Sequence, residues 1–183
     1  MLGAAQEKWL MNRLDRSTAG WNFLAQQIPM ARLDRFAGPE RRFSMDKWDG
    51  YERSRTRLLQ FLGTRRPSNP VTLAGDVHNN WVNDIRLNVD DPSTPIVATE
   101  FVGTSITSTG DGADKSPLME AMISENECVR FANNQRGYVR FNLTPKELRA
   151  DFRVVEYVSK PGSPIKTRAS FVVEDGRPGA KEA

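Results

Sequence analysis

The sequence predicts an α+β layered domain rather than a doubly wound sheet. Two helical stretches enclose a short apolar run near the start of the chain. From Trp81 onward six runs of β-type residues follow, several alternating with period two. The chain lacks both the strand–helix alternation of parallel α/β folds and any internal repeat. At 183 residues it fits one domain with a sizeable core.

The first helix is expected in "AAQEKWLMNRLDRS", where Ala5 and Trp9, with Leu2 and Leu14, form an apolar face. "WNFLAQQI" has strand length and ends at Pro29. A basic connector, "ARLDRFAGPERRF", contains the loop signal Gly38-Pro39. In the second helix Asp49 is the expected N-cap and Glu52 its capping-box partner. Tyr51, Leu58, Leu59 and Leu62 share its apolar face, Gly63 suits the C-terminal cap, and Arg53, Arg55 and Arg57 lie mostly elsewhere.

"VTLAGDVHNNW" then reads as a buried strand that stops at Gly75. The later strands are "WVNDIRLNV", "PIVATEFV", "ECVRFAN", "GYVRFNLT", "LRADFRVVEYV" and "RASFVVE". "NNQRG" and "SKPGSPIK" read as hairpin connections, "GTSITSTGDGADKSP" as a long polar loop, and "PLMEAMI" as a short helix. The tail from about residue 175 is expected to fray.

Composition bounds the function. Apolar residues make up 38% and charged residues 27%, which fits a globular protein, and no apolar stretch is long enough to span a bilayer. The first residues do not read as a signal peptide, and one cysteine excludes an internal disulfide. Net charge is 26 − 23 = +3, with a surplus of six positive charges in residues 1–70. Such a surplus attracts phosphate, in nucleic acid or in a small ester, although a solvated arginine-rich surface is the stronger reading. Tyr51 among the helix arginines is thin support for nucleic-acid stacking, and no phosphate-cradling glycine loop is present.

The chemistry concentrates in "GDVH". Asp76 and His78, the chain's one histidine, project from one face if the backbone is extended. Three readings stand side by side: half of a metal site, an acid–base pair, or a capped strand end. Asn88, Asp90 and Asp91, like Asp111 and Asp114, lack the ligand spacing of a calcium loop and are expected to make turns. Cys128 is expected to be a small core residue.

In order along the chain, "QEKWLMNRL", "WNFLAQQIPMA", "MDKWDGYERSRTRLLQFL", "LAGDVHNNW", "VATEFVGTSITSTG", "NQRGYVRFNLTP" and "LRADFRVVEYVSKPGSP" resemble the C-terminal part of the alkaline phosphatase D (PhoD-type) family. The resemblance covers nearly all of residues 1–183. It implies a calcineurin-like metallophosphoesterase fold, two packed β-sheets flanked by helices, with this chain as the C-terminal half of the catalytic domain. It further implies hydrolysis of phosphate monoesters and diesters at a centre of calcium and iron, and export by the twin-arginine route.

The same resemblance makes Asp76 and His78 metal-site residues, with His78 a candidate to ligate or to orient phosphate. Trp48 and Tyr51 become candidate pocket walls or core residues. Family enzymes carry an earlier half with a cysteine and several aspartate ligands; Cys128 lies after G-D-x-H and does not match that cysteine. A missing N-terminal half is therefore the implied partner. The chain alone is expected to bind metal weakly, to hydrolyse esters little or not at all, and to associate through an uncovered sheet edge. The competing reading is a non-catalytic remnant with the same scaffold.

Overall fold

A computed structural model describes residues 2–183. Its central layer is a mixed sheet built from β1 (Asn22–Ala25), β2 (Pro70–Ala74), β3 (Asn80–Arg86), β4 (Ile96–Val102) and β5 (Val129–Asn133). The spatial order is β1-β2-β4-β3-β5. β1, β2 and β4 run parallel, whereas β3 is antiparallel to both neighbours. A second sheet is an antiparallel meander of β6 (Gly137–Leu143), β7 (Glu147–Val155), β8 (Ile165–Glu174) and β9 (Arg177–Glu182).

The two sheets face each other through alternate side chains. Val71, Val82 and Phe101 from the first meet Leu148, Ala150, Phe152, Phe171 and Val173 from the second. Phe152 sits 5.0 Å from Phe131 and 6.1 Å from Phe171, ring centre to ring centre, within the preferred range for aromatic pairs. The other face of the mixed sheet is covered by helices. α2 (Glu52–Arg65) presents Leu58, Leu59 and Leu62 to Ile85 and Ala98, and α1 (Ala4–Asp15) adds Leu14. α3 (Pro117–Glu125), capped by the Ser116 hydroxyl, seats Met119 and Met122 beside Trp81.

Polar residues in this helix-facing layer are paired. Glu100, fully buried on β4, accepts from the Met30 and Ala31 amides at 2.6 and 3.1 Å, from Asn83 at 2.9 Å and from Thr72 at 3.3 Å. Burial pushes its carboxyl above the ordinary value, and these four donors pull it back. The bonds tie the irregular segment after β1 to the sheet. Further along that segment, Asp34 and Asn126 exchange amide and carbonyl bonds at 2.8 and 2.9 Å, so the long connector is anchored near its start and again at Asp34.

The α+β class and the two packed sheets agree with expectation, and five local expectations do not hold. Asp49 does not cap α2: a 3-10 turn, Trp48–Tyr51, leads into the helix, and Tyr51 occupies the N-cap without a side-chain bond. Arg55 is not on the solvent side but fully buried, donating to Asp49 at 2.6 Å. Asp49 is held as an ion-pair partner; burial raises its carboxyl and Arg55 opposes that shift. Gly63 lies inside α2, where a Cβ would come 2.7 Å from Leu87 Cδ1, and the helix ends at left-handed Arg66.

"NNQRG" is no hairpin, because β5 and β6 belong to different sheets and this segment crosses between them. The tail does not fray: β9 pairs with β8, and the Gly179 amide donates to Thr99 across the layers at 2.8 Å. Asn69 also clamps the β8–β9 turn, accepting from Gly176 at 2.8 Å. That connection joins residues 107 positions apart, so local composition could not announce it.

Candidate metal and phosphate site

The parallel strands β1, β2 and β4 end together, and the chain turns outward after each of them. Loops at the carboxyl ends of parallel strands are where such sheets place their ligand sites. A cleft of about 360 Å³ opens there, lined among others by Ala31, Arg35, Ser44, Lys47, Asp76 and Asn79. The connector 26–47 supplies the cations, and the bend after β2 supplies Asp76.

That bend is not extended, which corrects the expectation that Asp76 and His78 share one face. Asp76 has φ 70° and His78 φ 55°, both left-handed, and the Val77 amide turns back onto the Gly75 carbonyl at 2.8 Å. Left-handed backbone at non-glycine residues costs roughly 1–3 kcal/mol each and gathers at functional sites. Here Thr109 joins them with φ 76°, a strained value for a β-branched residue.

The two candidate ligands have different partners. Asp76 is exposed and forms an ion pair with Lys47 inside the cleft. His78 is also exposed, and its Nδ1 lies 3.1 Å from the Thr109 hydroxyl oxygen. Among the described residues no three His, Cys, Asp or Glu side chains converge.

Trp48 and Tyr51 do not wall this cleft. Trp48 is buried in the core beneath α2 and donates its indole N–H to Gln26 Oε1 at 2.7 Å. It borders instead a second, more apolar cleft of about 460 Å³ between α1 and β1, beside Trp9 and Phe23. Tyr51 is exposed on the helix surface.

The acidic loops behave as turns and tethers. Asp91 accepts from the Ser93 amide at 2.9 Å, Asp90 pairs with Arg32 at 2.5 Å, and Asp114 with Arg168 at 2.5 Å. Asp111 accepts from the Val158 and Ser159 amides at 2.6 and 2.8 Å, which lowers its carboxyl. Burial drives the Cys128 thiol up to about 12, the behaviour of an inert packing residue.

Sequence reasoning did not single out Lys47, Arg35, Thr109 or Arg136. Lys47 was visible one residue before Trp48 in "DKWDGY", while Thr109 and Arg136 reach His78 only through long-range folding.

A mixed sheet faced by a β-meander and backed by helices defines an α+β domain, and the cleft at its parallel-strand ends is lined by two cations and three carboxylates, Asp46, Asp49 and Asp76. Residues 1–152 match the family described as PhoD-like phosphatase, and the chain belongs to that family. It is 43% identical over 182 residues to alkaline phosphatase D of Bacillus subtilis (strain 168), covering 100% of this chain and 31% of that protein. A solved structure of PhoD superposes with a TM-score of 0.95 at 43% identity, covering 100% of this chain and 35% of that one. The chain thus spans about a third of the length of these relatives.

Proposed function

We propose that this chain is the C-terminal part of a metal-dependent phosphoric ester hydrolase acting on phosphate mono- and diesters, and that Asp76 and His78 form one wall of its centre. The observation that carries the reading is the left-handed Asp76–His78 bend, at the ends of parallel strands, in a chain of the PhoD-like phosphatase family. The donor types fit the metals expected: a carboxylate suits a hard cation such as calcium, and an imidazole suits iron. Both side chains are exposed and free of the core. They would hold the metal at two positions, and the remaining ligands would come from the rest of the enzyme.

Bound cations of this kind neutralise phosphoryl charge and activate water. The chain's own residues prepare the approach. Lys47 and Arg35 offset part of the negative charge of Asp46, Asp49 and Asp76 in the cleft, and bound cations would supply the positive charge that draws in an anionic ester. Lys47 also holds the Asp76 carboxylate in the cleft.

The edge strand β1 and the apolar cleft beside it, where Trp9 and Phe23 are exposed, are the surface we assign to the remainder of the enzyme. Export by the twin-arginine route is part of the same reading and would place the activity outside the cytoplasm. A nucleic-acid role is disfavoured because arginines of residues 1–70 are engaged with acids: Arg57 with Glu7, Arg65 with Asp15 and Arg55 with Asp49.

Hydrolysis of a chromogenic phosphate ester, with calcium and iron supplied, tests the proposal. The 183-residue chain alone should show no turnover above background. Joined to the remaining ligands, it should gain activity that Asp76→Ala abolishes. Full activity in that variant would remove Asp76 from the site, and no gain of activity on joining would leave the non-catalytic remnant as the better reading.

A further inference from the structure

The geometry points to Arg136 as the positioning residue of this site: its guanidinium fixes the backbone of His78 and the loop that brings Thr109 to the imidazole. The inference rests on the reading of His78 as a site residue.

Arg136 is fully buried and, among the described residues, has no carboxylate partner. Its Nη1 donates to the His78 carbonyl at 2.7 Å, to the Ser105 hydroxyl at 2.8 Å and to the Ser108 carbonyl at 3.1 Å. Its Nη2 donates to the carbonyl and the side-chain oxygen of Asn134. Three separate segments therefore meet on one side chain: the bend after β2, the loop after β4, and the crossing from β5 to β6.

The loop wraps closely around it. Gly112 has φ 76°, and a Cβ there would lie 2.1 Å from the Asn134 carbonyl oxygen and 2.8 Å from Arg136 Nη2. The crossing is itself tied to both neighbours: the Gly137 amide donates to the Ser105 carbonyl at 3.2 Å, and the Val155 amide donates to the Arg136 carbonyl at 2.9 Å.

A buried charge without a counter-charge is expensive, and burial alone pulls the Arg136 guanidinium below its ordinary value. Neutral carbonyl and hydroxyl dipoles are its only compensation. An apolar residue could fill this crossing at lower electrostatic cost, but it could not donate to three backbone carbonyls and a hydroxyl at once. What those bonds maintain is the strained pair, His78 and Thr109, whose left-handed backbones would otherwise relax. Contact with substrate is excluded by burial: Nε, the one nitrogen without a partner, is itself buried.

The chain's single histidine makes the test direct. In ¹⁵N-labelled protein, a long-range ¹H–¹⁵N spectrum shows only the His78 imidazole. Wild type should give two well-separated nitrogen resonances from one held tautomer. Arg136→Lys, which keeps the charge but loses the fork, and Arg136→Met should both move these resonances toward the merged average of a freely exchanging ring. The Trp48 indole N–H, bonded to Gln26 in the helix-backed core, should stay in place and report an intact fold.

Unchanged imidazole resonances in either folded variant would overturn the assignment. Should both variants fail to fold, wild type decides: the five bonds require slow rotation about the Arg136 Cζ–Nη bonds, and fast-averaged Nη signals would refute them. Hydrolysis by Asp76→Ala reads the catalytic proposal and the imidazole spectrum reads the positioning, so either can fail alone.

Discussion

Acid stability of the chain should be governed in part by Asp151. It sits on the outer face of β7, because Leu148, Ala150 and Phe152 point inward and Asp151 does not. It is nevertheless only 5% exposed. Arg140 covers it from β6 at 2.7 Å, Arg149 from its own strand at 3.0 Å, and the Ser170 hydroxyl donates from β8 at 2.7 Å. The bond from Arg140, then those from Ser170 and Arg149, hold the carboxyl down from 3.8 to about 2.

At roughly 1.4 kcal/mol per pH unit this is worth about 2.4 kcal/mol before screening. The two arginine side chains are 60% and 42% exposed, which reduces the figure to about 1–2 kcal/mol. Because the folded value lies below the unfolded one, the contribution is present above pH 3.8 and disappears as pH falls through about 2. Urea unfolding of wild type and Asp151→Asn should therefore differ by about 1–2 kcal/mol at pH 7, with the gap closing between pH 4 and 2. A gap that stays flat across that range, or is absent at pH 7, would refute the argument.

Two further stability changes follow from the packing. Phe152→Ala removes the ring at the centre of the contact between the sheets and should cost about 3–5 kcal/mol in urea unfolding; a loss below about 1 kcal/mol would mean the sheets do not share one core. Arg55→Ala strands the Asp49 carboxylate in the core and should cost about 3–5 kcal/mol. Adding Asp49→Ala to it should restore part of that loss, and additive losses in the double variant would show that the pair is not coupled.

The sequence made the layers legible because each rests on a local pattern. Leu58, Leu59 and Leu62 repeat on a helix, and Leu148, Ala150 and Phe152 alternate on a strand. Where a local signal competes with a partner that only the fold supplies, the reading fails. Asp49 has the spacing of a capping box, yet the buried cation of Arg55 offers it a stronger bond. The residues after 175 look like a polar tail, but β8 and Thr99 supply pairing that composition cannot show. Asp76 and His78 stand out in sequence by their spacing, whereas their left-handed backbone does not, because Asp and His only favour that conformation and most of them do not adopt it. Arg136 escaped for a different reason from Asp49: its role comes from three segments far apart in sequence.

The shared ending of β1, β2 and β4 also bears on how this protein can change. Arg35 and Lys47 sit on one connector, Asp76 on a second and Thr109 on a third, while the ladders beneath are held by separate backbone bonds. A substitution on one connector can therefore alter the charge or shape of the cleft without moving a strand. Selection, or a combinatorial library restricted to these three segments, can vary the cleft while the scaffold keeps its stability. The segment from Ser105 to Gly112, clasped by Arg136, is the exception, and variation there should be the least tolerated.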